Sequence, residues 1–390
     1  MTYPPGHVLG SQRNGLNHVS MGMGVFDRVA GPRRGSDYPI YSDTLLDWYA
    51  AKGVKSARLT FTWEAVQARS GGAAPPVEPE FGAGYSDYWT DLTDVLARLL
   101  ARGIDVVLSP WQFNRASGDT DIVYDHAAIT AAGFADFWGK FATATNLATG
   151  NDQRVAFDLI NEPHTKAESG DRAGDIGIGR EDWFACARAA IGQIRDPAPG
   201  STNTNTIFVP GMAYASASSF LSNGSSDGWL GLIDSANPAD RSNDIAVTAH
   251  CYDGLGSDSP TVLRDACSGL VTWARSNGLK VQIGEIAINA GDNGRPVHCG
   301  TWAEATAQWA DWNEFCLANA DVLVGWNWWA NSAAGWWNAG DSCDADFGFH
   351  WGLTLDDGAT QTIYMDLIEA TLPVPALPLS KDPGGAGRAS

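Results

Sequence analysis

Eight short apolar runs recur along the chain, and amphipathic segments with helical spacing lie between them. Such runs are typical of parallel strands that are buried on both faces. The predicted strands are residues 19–25, 54–61, 104–109, 155–160, 206–210, 245–250, 281–284 and 322–328. The predicted helices are residues 42–52, 88–102, 134–145, 182–194, 260–276, 302–318 and 363–370. Eight strands that alternate with helices predict an α/β fold, an eight-stranded parallel β/α barrel (TIM barrel).

Three glycines support this division of the chain. Gly53, Gly103 and Gly278 each follow a predicted helix and precede a predicted strand, where helices commonly end. The structural rival is an open, doubly wound parallel sheet. That fold usually carries a G-x-G-x-x-G phosphate loop after its first strand, and the sequence has no such motif there.

Composition and charge predict the number of domains and exclude some classes of binding partner. We interpret residues 1–371 as a single domain and residues 372–390, rich in Pro, Gly and Ala, as a flexible tail. The net charge of −20 would repel nucleic acids and anionic membranes. No apolar run is long enough to span a bilayer. We therefore expect a soluble monomer whose partner is uncharged.

The six cysteines include no C-x-x-C pair, so a zinc site is not expected, and neither is any other metal. Cys186 falls within a predicted helix and is interpreted as a buried free thiol. The first residues lack the basic region and apolar core of a signal peptide. Export would then require a signal removed earlier or another route.

Two glutamates follow two of the predicted strands directly. Glu162 comes after the apolar run V-A-F-D-L-I and is followed by Pro163, which cannot continue a central ladder. Glu285 follows the run V-Q-I-G. Active sites of barrel enzymes gather at the carboxyl ends of the strands, so both carboxylates are expected at one mouth. Paired carboxylates are what cleavage of a glycosidic bond requires.

Several motifs around these glutamates resemble glycoside hydrolase family 5, the family of many cellulases and mannanases. The matching pieces are Arg58 in S-A-R-L-T-F-T-W-E, Asn161 and Glu162 in N-E-P-H, His250 and Tyr252 in A-H-C-Y, Glu285 in I-G-E-I, and Trp329 in G-W-N-W-W-A. The resemblance covers most of residues 18–370. It implies a β/α barrel, hydrolysis of a β-linked polysaccharide with retention of configuration, and no cofactor.

The resemblance also assigns roles. Glu162 would be the acid/base and Glu285 the nucleophile. Asn161 would bind the sugar 2-hydroxyl, and His250 and Tyr252 would contact the substrate and the carboxylates. Trp329 would form the sugar platform.

Three further features have less specific assignments. Arg58, near the end of the second strand, is expected to hold the nucleophile ionised. Trp336 or Trp337 is a candidate for a neighbouring subsite. Related endoglucanases carry half-cystines near Cys267 and Cys299, which implies a bridge between these two.

One loop departs from the family pattern. After the third strand, such endoglucanases usually read D-P-H-N-Y-A-R, whereas this chain reads S-P-W-Q-F-N-R at residues 109–115. Trp111 stands in place of a sugar-binding histidine. An indole cannot reproduce the donor of an imidazole at the same depth, so we expect Trp111 to change the shape of the cleavage subsite.

The sequence thus predicts an endo-type retaining glycosidase, with β-1,4-glucan as the first candidate substrate. The substituted loop keeps mannan, xylan, mixed-linkage and decorated glucans open. Whether cleavage is internal or from chain ends also stays open, since loop closure decides it. A carbohydrate-binding barrel without turnover is the non-enzymatic alternative. The substrate class and the cysteines lead us to expect an extracellular or periplasmic location.

Overall fold

The structure is a computed structural model, and its description covers most of the predicted barrel. The described residues are 12–18, 21, 33–39, 41–66, 86–111, 131–165, 167–168, 177–196, 203–235, 244–254, 257–288, 301–331 and 363–372.

Eight parallel strands close into a barrel in the order of the chain. The strands are β1 (Gly15–His18), β2 (Ser56–Phe61), β3 (Asp105–Pro110), β4 (Val155–Asp158), β5 (Thr206–Pro210), β6 (Ile245–Cys251), β7 (Val281–Ile286) and β8 (Leu323–Asn331). The barrel closes because β1 pairs with β2 on one side and with β8 on the other. The predicted TIM barrel is therefore confirmed.

Helices surround the barrel, and all those predicted are present. They are α1 (Asp43–Ala51), α2 (Trp63–Val66), α3 (Ser86–Ala101), α4 (Ala131–Thr149), α5 (Arg180–Arg195), α6 (Met212–Ala215), α7 (Ser225–Ser235), α8 (Val262–Ser276), α9 (Trp302–Ala318) and α10 (Ile363–Ile368). Within the described residues, no helix is both long and apolar enough to cross a membrane.

Local sequence signals account for several helix ends. The Ser42 hydroxyl accepts the Leu45 N–H at 3.2 Å and caps α1. Gly53, Gly103 and Gly278 all have positive φ, at 83°, 73° and 68°, the conformation that ends a helix at low steric cost. The glycine signals read from the sequence are thus confirmed.

The first strand was predicted at the wrong place. Residues 19–25 carry more apolar side chains, but β1 lies earlier, at Gly15–His18. Two of its four residues, Asn17 and His18, are polar and fully buried. Both side chains are buried by residues distant in sequence. Asn17, for example, donates to the Gly284 carbonyl at 2.8 Å, and such a contact cannot be predicted from the local sequence.

Helix α7 was not predicted, because two glycines interrupt its apolar spacing and weaken helix propensity. Gly228 lies against α5 so closely that a β-carbon there would come within 2.2 Å of the Phe184 ring. The glycine is needed for the close approach of the two helices.

The core has two layers. The larger one fills the space between the barrel wall and the helices and is rich in aromatic contacts, such as Trp63 on Phe137 with ring centroids 4.3 Å apart. A smaller cluster lies apart from that layer and draws its members from five different strands. It consists of Val107, Ala156, Phe208, Ala246 and Val324. Nearly all described strand residues are thereby buried, and the site forms where the strands end.

The described cysteines are buried thiols. Cys186 is free and buried, as predicted. Cys267 is also buried and has no disulfide partner among the described residues, and Cys299 lies outside them. The Cys267–Cys299 bridge therefore stays a prediction.

His18 makes the fold sensitive to acid. Its ring is fully buried between Tyr41 and Tyr49, with centroids 4.3 and 4.7 Å away. Neither ring nitrogen has a hydrogen-bond partner among the described residues. Burial lowers the pKa of His18 from 6.5 to about 3. The unfolded chain binds this proton more readily, so the stabilising contribution is complete above pH 6.5 and is lost as the pH falls towards 3.

We predict that His18→Phe removes this dependence. One pKa unit corresponds to about 1.4 kcal/mol. As the pH falls from 6.5 to 3, the free energy of unfolding of the variant should therefore rise by roughly 4 kcal/mol relative to that of the wild type. Urea denaturation across this range measures the difference. Burial raises the pKa of Asp105 to about 6, so this residue makes the fold more stable as the pH falls. The effect is the same in both proteins and cancels in the difference between them. Parallel pH profiles for the two proteins would contradict the prediction.

Candidate active site

Arg58 is the centre of a buried polar network. It lies in the middle of β2 rather than near its end, which corrects the sequence prediction, and it is fully buried. Its guanidinium has five N–H groups, and five acceptors surround it at 2.8–3.1 Å. These acceptors are Asp158 Oδ2, Asn17 Oδ1, Glu285 Oε1, Ser109 Oγ and Asn161 Oδ1. Every donor of the side chain is thereby satisfied.

Charge pairing lets this arginine stay ionised although it is fully buried. Burial alone would lower the pKa of Arg58, but the charges of Asp158 and Glu285, both in contact at 2.8 Å, raise it above its ordinary value. A buried cation held by two carboxylates fits the expectation that Arg58 has a paired role.

Glu285 lies at the end of β7 and is almost fully buried. Its two oxygens have different partners: Oε1 accepts from Arg58 at 2.8 Å, and Oε2 accepts from the Tyr252 hydroxyl at 2.7 Å. Burial raises the pKa of this carboxyl, and the nearby Glu162 raises it further, while Arg58 and the Tyr252 hydrogen bond act against the rise. The carboxylate is thus oriented from two sides.

Glu162 follows β4 in a turn and has a left-handed backbone, with φ at 46°. This conformation is uncommon for a residue other than glycine. Its side chain is 27% exposed, against 2% for Glu285. One carboxylate of the pair is therefore open to solvent and the other is enclosed.

His250 lies between the two glutamates. Its Nδ1 is 2.9 Å from Glu162 Oε1 and 3.3 Å from Glu285 Oε2. Burial lowers the pKa of His250 to about 4, so the ring is neutral above that pH and Nδ1 carries the hydrogen that it shares with the carboxylates. His250 and Tyr252 are two residues apart in the chain, and both reach Glu285.

The two glutamates and His250 each present one atom that could bind a metal ion, and these three atoms lie within 4.8 Å of one another. Among the described residues, this is the group whose potential metal ligands could converge on a cation. The same spacing also lets a carboxylate pair act on one substrate atom from two sides.

Trp329 and Trp111 form a stacked pair. Their ring centroids are 4.7 Å apart and the planes differ by 11°. Trp329 also packs against Ala287 and Ala330 and is only 5% exposed. Trp111 thus covers a face of the side chain that was expected to be the sugar platform. Outside the described residues lie the two candidates for a neighbouring subsite, Trp336 and Trp337.

Sequence reasoning missed three members of the network, Asp158, Asn17 and Ser109. A signal for Asp158 did exist: an ionisable residue within a buried apolar strand needs a partner. Arg58 in β2, separated from β4 only by β3, is the same case with the opposite charge. Asn17 carries no such signal, because its strand was itself misplaced.

Comparisons with known proteins agree with this geometry. The family model described as cellulase (glycosyl hydrolase family 5) matches residues 21–332. Endoglucanase 1 of Saitozyma flava is 25% identical over 243 residues, which span 61% of this chain and 61% of that relative. Endoglucanase 1 of Robillarda sp. (strain Y-20) is 25% identical over 370 residues, or 87% of this chain and 83% of the relative.

A solved structure shares the fold over nearly the whole chain. It is a triple mutant of an endo-beta-1,4-glucanase from Xanthomonas axonopodis pv. citri, with a TM-score of 0.68 and 23% identity. The match covers 93% of this chain and 99% of that chain. At this identity, the likeness concerns the barrel itself.

We predict that Asp158→Asn strongly destabilises the protein, since it leaves the Arg58 charge buried with one carboxylate fewer. Loss of one partner of a buried ion pair costs about 3–5 kcal/mol. Asp152→Asn is the matched control: Asp152 pairs with Arg154 at 2.6 Å, but both side chains are partly exposed, and such a pair contributes about 1 kcal/mol or less. Equal losses in urea denaturation would show that the network does not carry the stability assigned to it.

Proposed function

The chain belongs to glycosyl hydrolase family 5, and we propose that it is an endo-β-1,4-glucanase that acts with retention of configuration. The curated relatives named above are endoglucanases. The aligned segment spans only 61% of the Saitozyma flava enzyme, so the activity of this chain is argued from its own site.

One observation carries the proposal: an oxygen of Glu162 and an oxygen of Glu285 lie within 4.8 Å of each other. Retaining glycosidases hold their two carboxyls about 5–5.5 Å apart, whereas inverting enzymes need about 6.5–9.5 Å to admit a water molecule. The short separation supports direct attack by one carboxylate on the sugar.

The different environments of the two glutamates support the assignment of roles. In the first step, ionised Glu285 attacks the anomeric carbon, and Glu162 donates its proton to the leaving oxygen as the glycosidic bond breaks. In the second step, Glu162 takes a proton from water, and the resulting hydroxide releases the sugar from Glu285. The enclosed carboxylate with two fixed donors suits the nucleophile. The partly exposed one can exchange protons with solvent.

The surrounding donors fit this chemistry. Arg58 occupies Glu285 Oε1 and Tyr252 binds Oε2, which fixes the plane of the nucleophile. Arg58 also donates to Asn161 Oδ1 at 2.8 Å, so the Asn161 amide is left with its NH₂ group to donate to a sugar hydroxyl. His250, neutral above about pH 4, donates to the carboxylates without adding a positive charge.

The stack of Trp111 on Trp329 favours a second candidate, the same chemistry on another β-glycan. A pyranose ring cannot enter between indoles whose centroids are 4.7 Å apart. The sugar at the cleavage subsite must therefore displace Trp111 or bind differently from one that stacks on Trp329. Mannan, xylan and mixed-linkage or decorated glucans are the substrates to compare. Because all are polymers, we also propose an extracellular or periplasmic location.

We predict that one β-glycan is cut into oligosaccharides and that Glu285→Gln abolishes this activity, because the nucleophile is lost. The measurement is product analysis over β-glucans, mannan, xylan and xyloglucan, with the anomer of the first product read by NMR. Arg275→Gln, which alters an exposed ion pair on α8, is the control and should keep full activity. An initial product with inverted configuration would contradict the retaining assignment. No release from any polymer would favour a binding protein.

We predict that Trp111→His raises kcat/KM on cello-oligosaccharides, because it uncovers Trp329 and supplies a hydrogen-bond donor. A stacked aromatic pair contributes about 0.5–1.5 kcal/mol beyond its buried area, so a roughly three- to tenfold gain is expected. Trp48→His, on the outer helix α1, is the matched control and should leave kcat/KM unchanged. Unchanged or lower activity of Trp111→His, beside an efficient wild type, would mean that Trp111 does not obstruct the subsite.

A further inference from the structure

The short element α6, which follows β5, is a left-handed turn rather than a regular right-handed helix, and its conformation is costly. Ala213, Tyr214 and Ala215 have φ values of 53°, 60° and 56°. Residues other than glycine visit this region singly, because the β-carbon comes too close to the following carbonyl oxygen. Three such residues in succession persist only where the surroundings over-determine them, and strain of this kind clusters at functional sites.

The start of the turn is anchored to α7. The Met212 N–H donates to Ser225 Oγ at 2.8 Å, and Asn223 Nδ2 donates to the Met212 carbonyl at 3.2 Å. Gly211 lies so close to these groups that a β-carbon there would be 2.8 Å from Ser225 Oγ and from the Phe220 ring. The chain therefore enters the turn at a fixed place.

The middle of the turn contacts the segment that carries Glu162. The Tyr214 N–H donates to the Pro163 carbonyl at 3.2 Å. The Tyr214 ring stacks on His164, with centroids 4.2 Å apart and planes within 18°. His164 Nδ1 lies 2.8 Å from the Glu162 carbonyl, and since a carbonyl only accepts, Nδ1 is the donor. Tyr214 thus reaches the Glu162 backbone through one intervening ring.

The end of the turn contacts the other support of Glu162. The Ala217 N–H donates to the His250 carbonyl at 2.9 Å, and Ser216 pairs with His250 in an isolated parallel bridge. His250 Nδ1 is in turn 2.9 Å from Glu162 Oε1. One short segment is therefore linked to both the backbone and the carboxylate of Glu162.

We propose that Tyr214 and His164 are positioning residues that hold Glu162 in its left-handed conformation and so aim its carboxyl at the leaving oxygen. The inference rests on the proposed glycosidase function. The strained turn presses the Tyr214 ring onto His164, and the His164 ring fixes the Glu162 carbonyl. If this contact is lost, Glu162 can relax towards an ordinary backbone conformation, and proton donation suffers while the nucleophile stays in place.

The test compares substrates that do and do not need the acid. Cellotetraose requires protonation of its leaving oxygen, whereas 2,4-dinitrophenyl β-cellobioside has a leaving group that departs without it. We expect Tyr214→Ala to lower kcat/KM on cellotetraose on the order of 10- to 100-fold. On the activated cellobioside it should change kcat/KM less than about threefold, because attack by the nucleophile is untouched.

Two conservative variants and two controls complete the design. Tyr214→Phe keeps the stacked ring and should restore activity on both substrates. His164→Asn keeps a donor for the Glu162 carbonyl but loses the ring, and should show the selective loss in a milder form. Phe315→Ala, which removes a ring contact with Trp312 on α9 at 5.8 Å, reports the effect of losing an aromatic contact in the helical layer. Glu162→Gln defines the full signature of a lost acid.

The outcomes separate the two proposals. Equal loss on both substrates, or a change in KM alone, would overturn the positioning role, since a folding defect or a direct sugar contact would produce them. Failure of Tyr214→Phe to restore activity would overturn it as well. A wild type that turns over neither substrate would instead refute the glycosidase function itself. Thermal midpoints of all variants exclude unfolding as the cause of a selective loss.

Discussion

The whole site depends on one fully buried cation whose N–H donors all have partners. Arg58 has five N–H donors, and each of them meets an acceptor. A guanidinium left short of partners in this position would cost several kcal/mol. Without the guanidinium, burial would raise the pKa of Asp158 and Glu285 further. The network therefore fixes the ionisation of the carboxylates and their geometry by the same contacts.

These contacts also explain why the closed barrel is a precondition of the chemistry. The partners of Arg58 come from β1, β3, β4 and β7 or the turns that follow them, so strands distant in sequence must meet before the guanidinium is paired. Parallel closure brings them together at one mouth. The strain at Glu162 and in the turn after β5 is then held by a rigid wall, which is the situation in which strained backbone persists.

Much of this arrangement could be predicted from the sequence. Strands such as β4 and β7 carry mostly apolar runs, and a carboxylate directly after each run indicates a functional site. The features that could not be predicted from the sequence depend on contacts between residues that are distant in the chain. β1 has only Leu16 as a large apolar residue, because Asn17 and His18 are buried by partners elsewhere in the chain. Likewise, no turn residue announces the left-handed conformation of Tyr214, which contacts across the mouth impose.

The most direct test of the central claim is to trap the glycosyl-enzyme. A 2-deoxy-2-fluoro-β-cellobioside with an activated leaving group should react once and remain bound, since the fluorine slows the second step. Mass spectrometry of the digested protein should then find the added disaccharide on the peptide that contains Glu285. A label on Glu162 would contradict the roles assigned to the two glutamates. A protein that hydrolyses β-glucan but never accumulates a label would contradict the covalent mechanism.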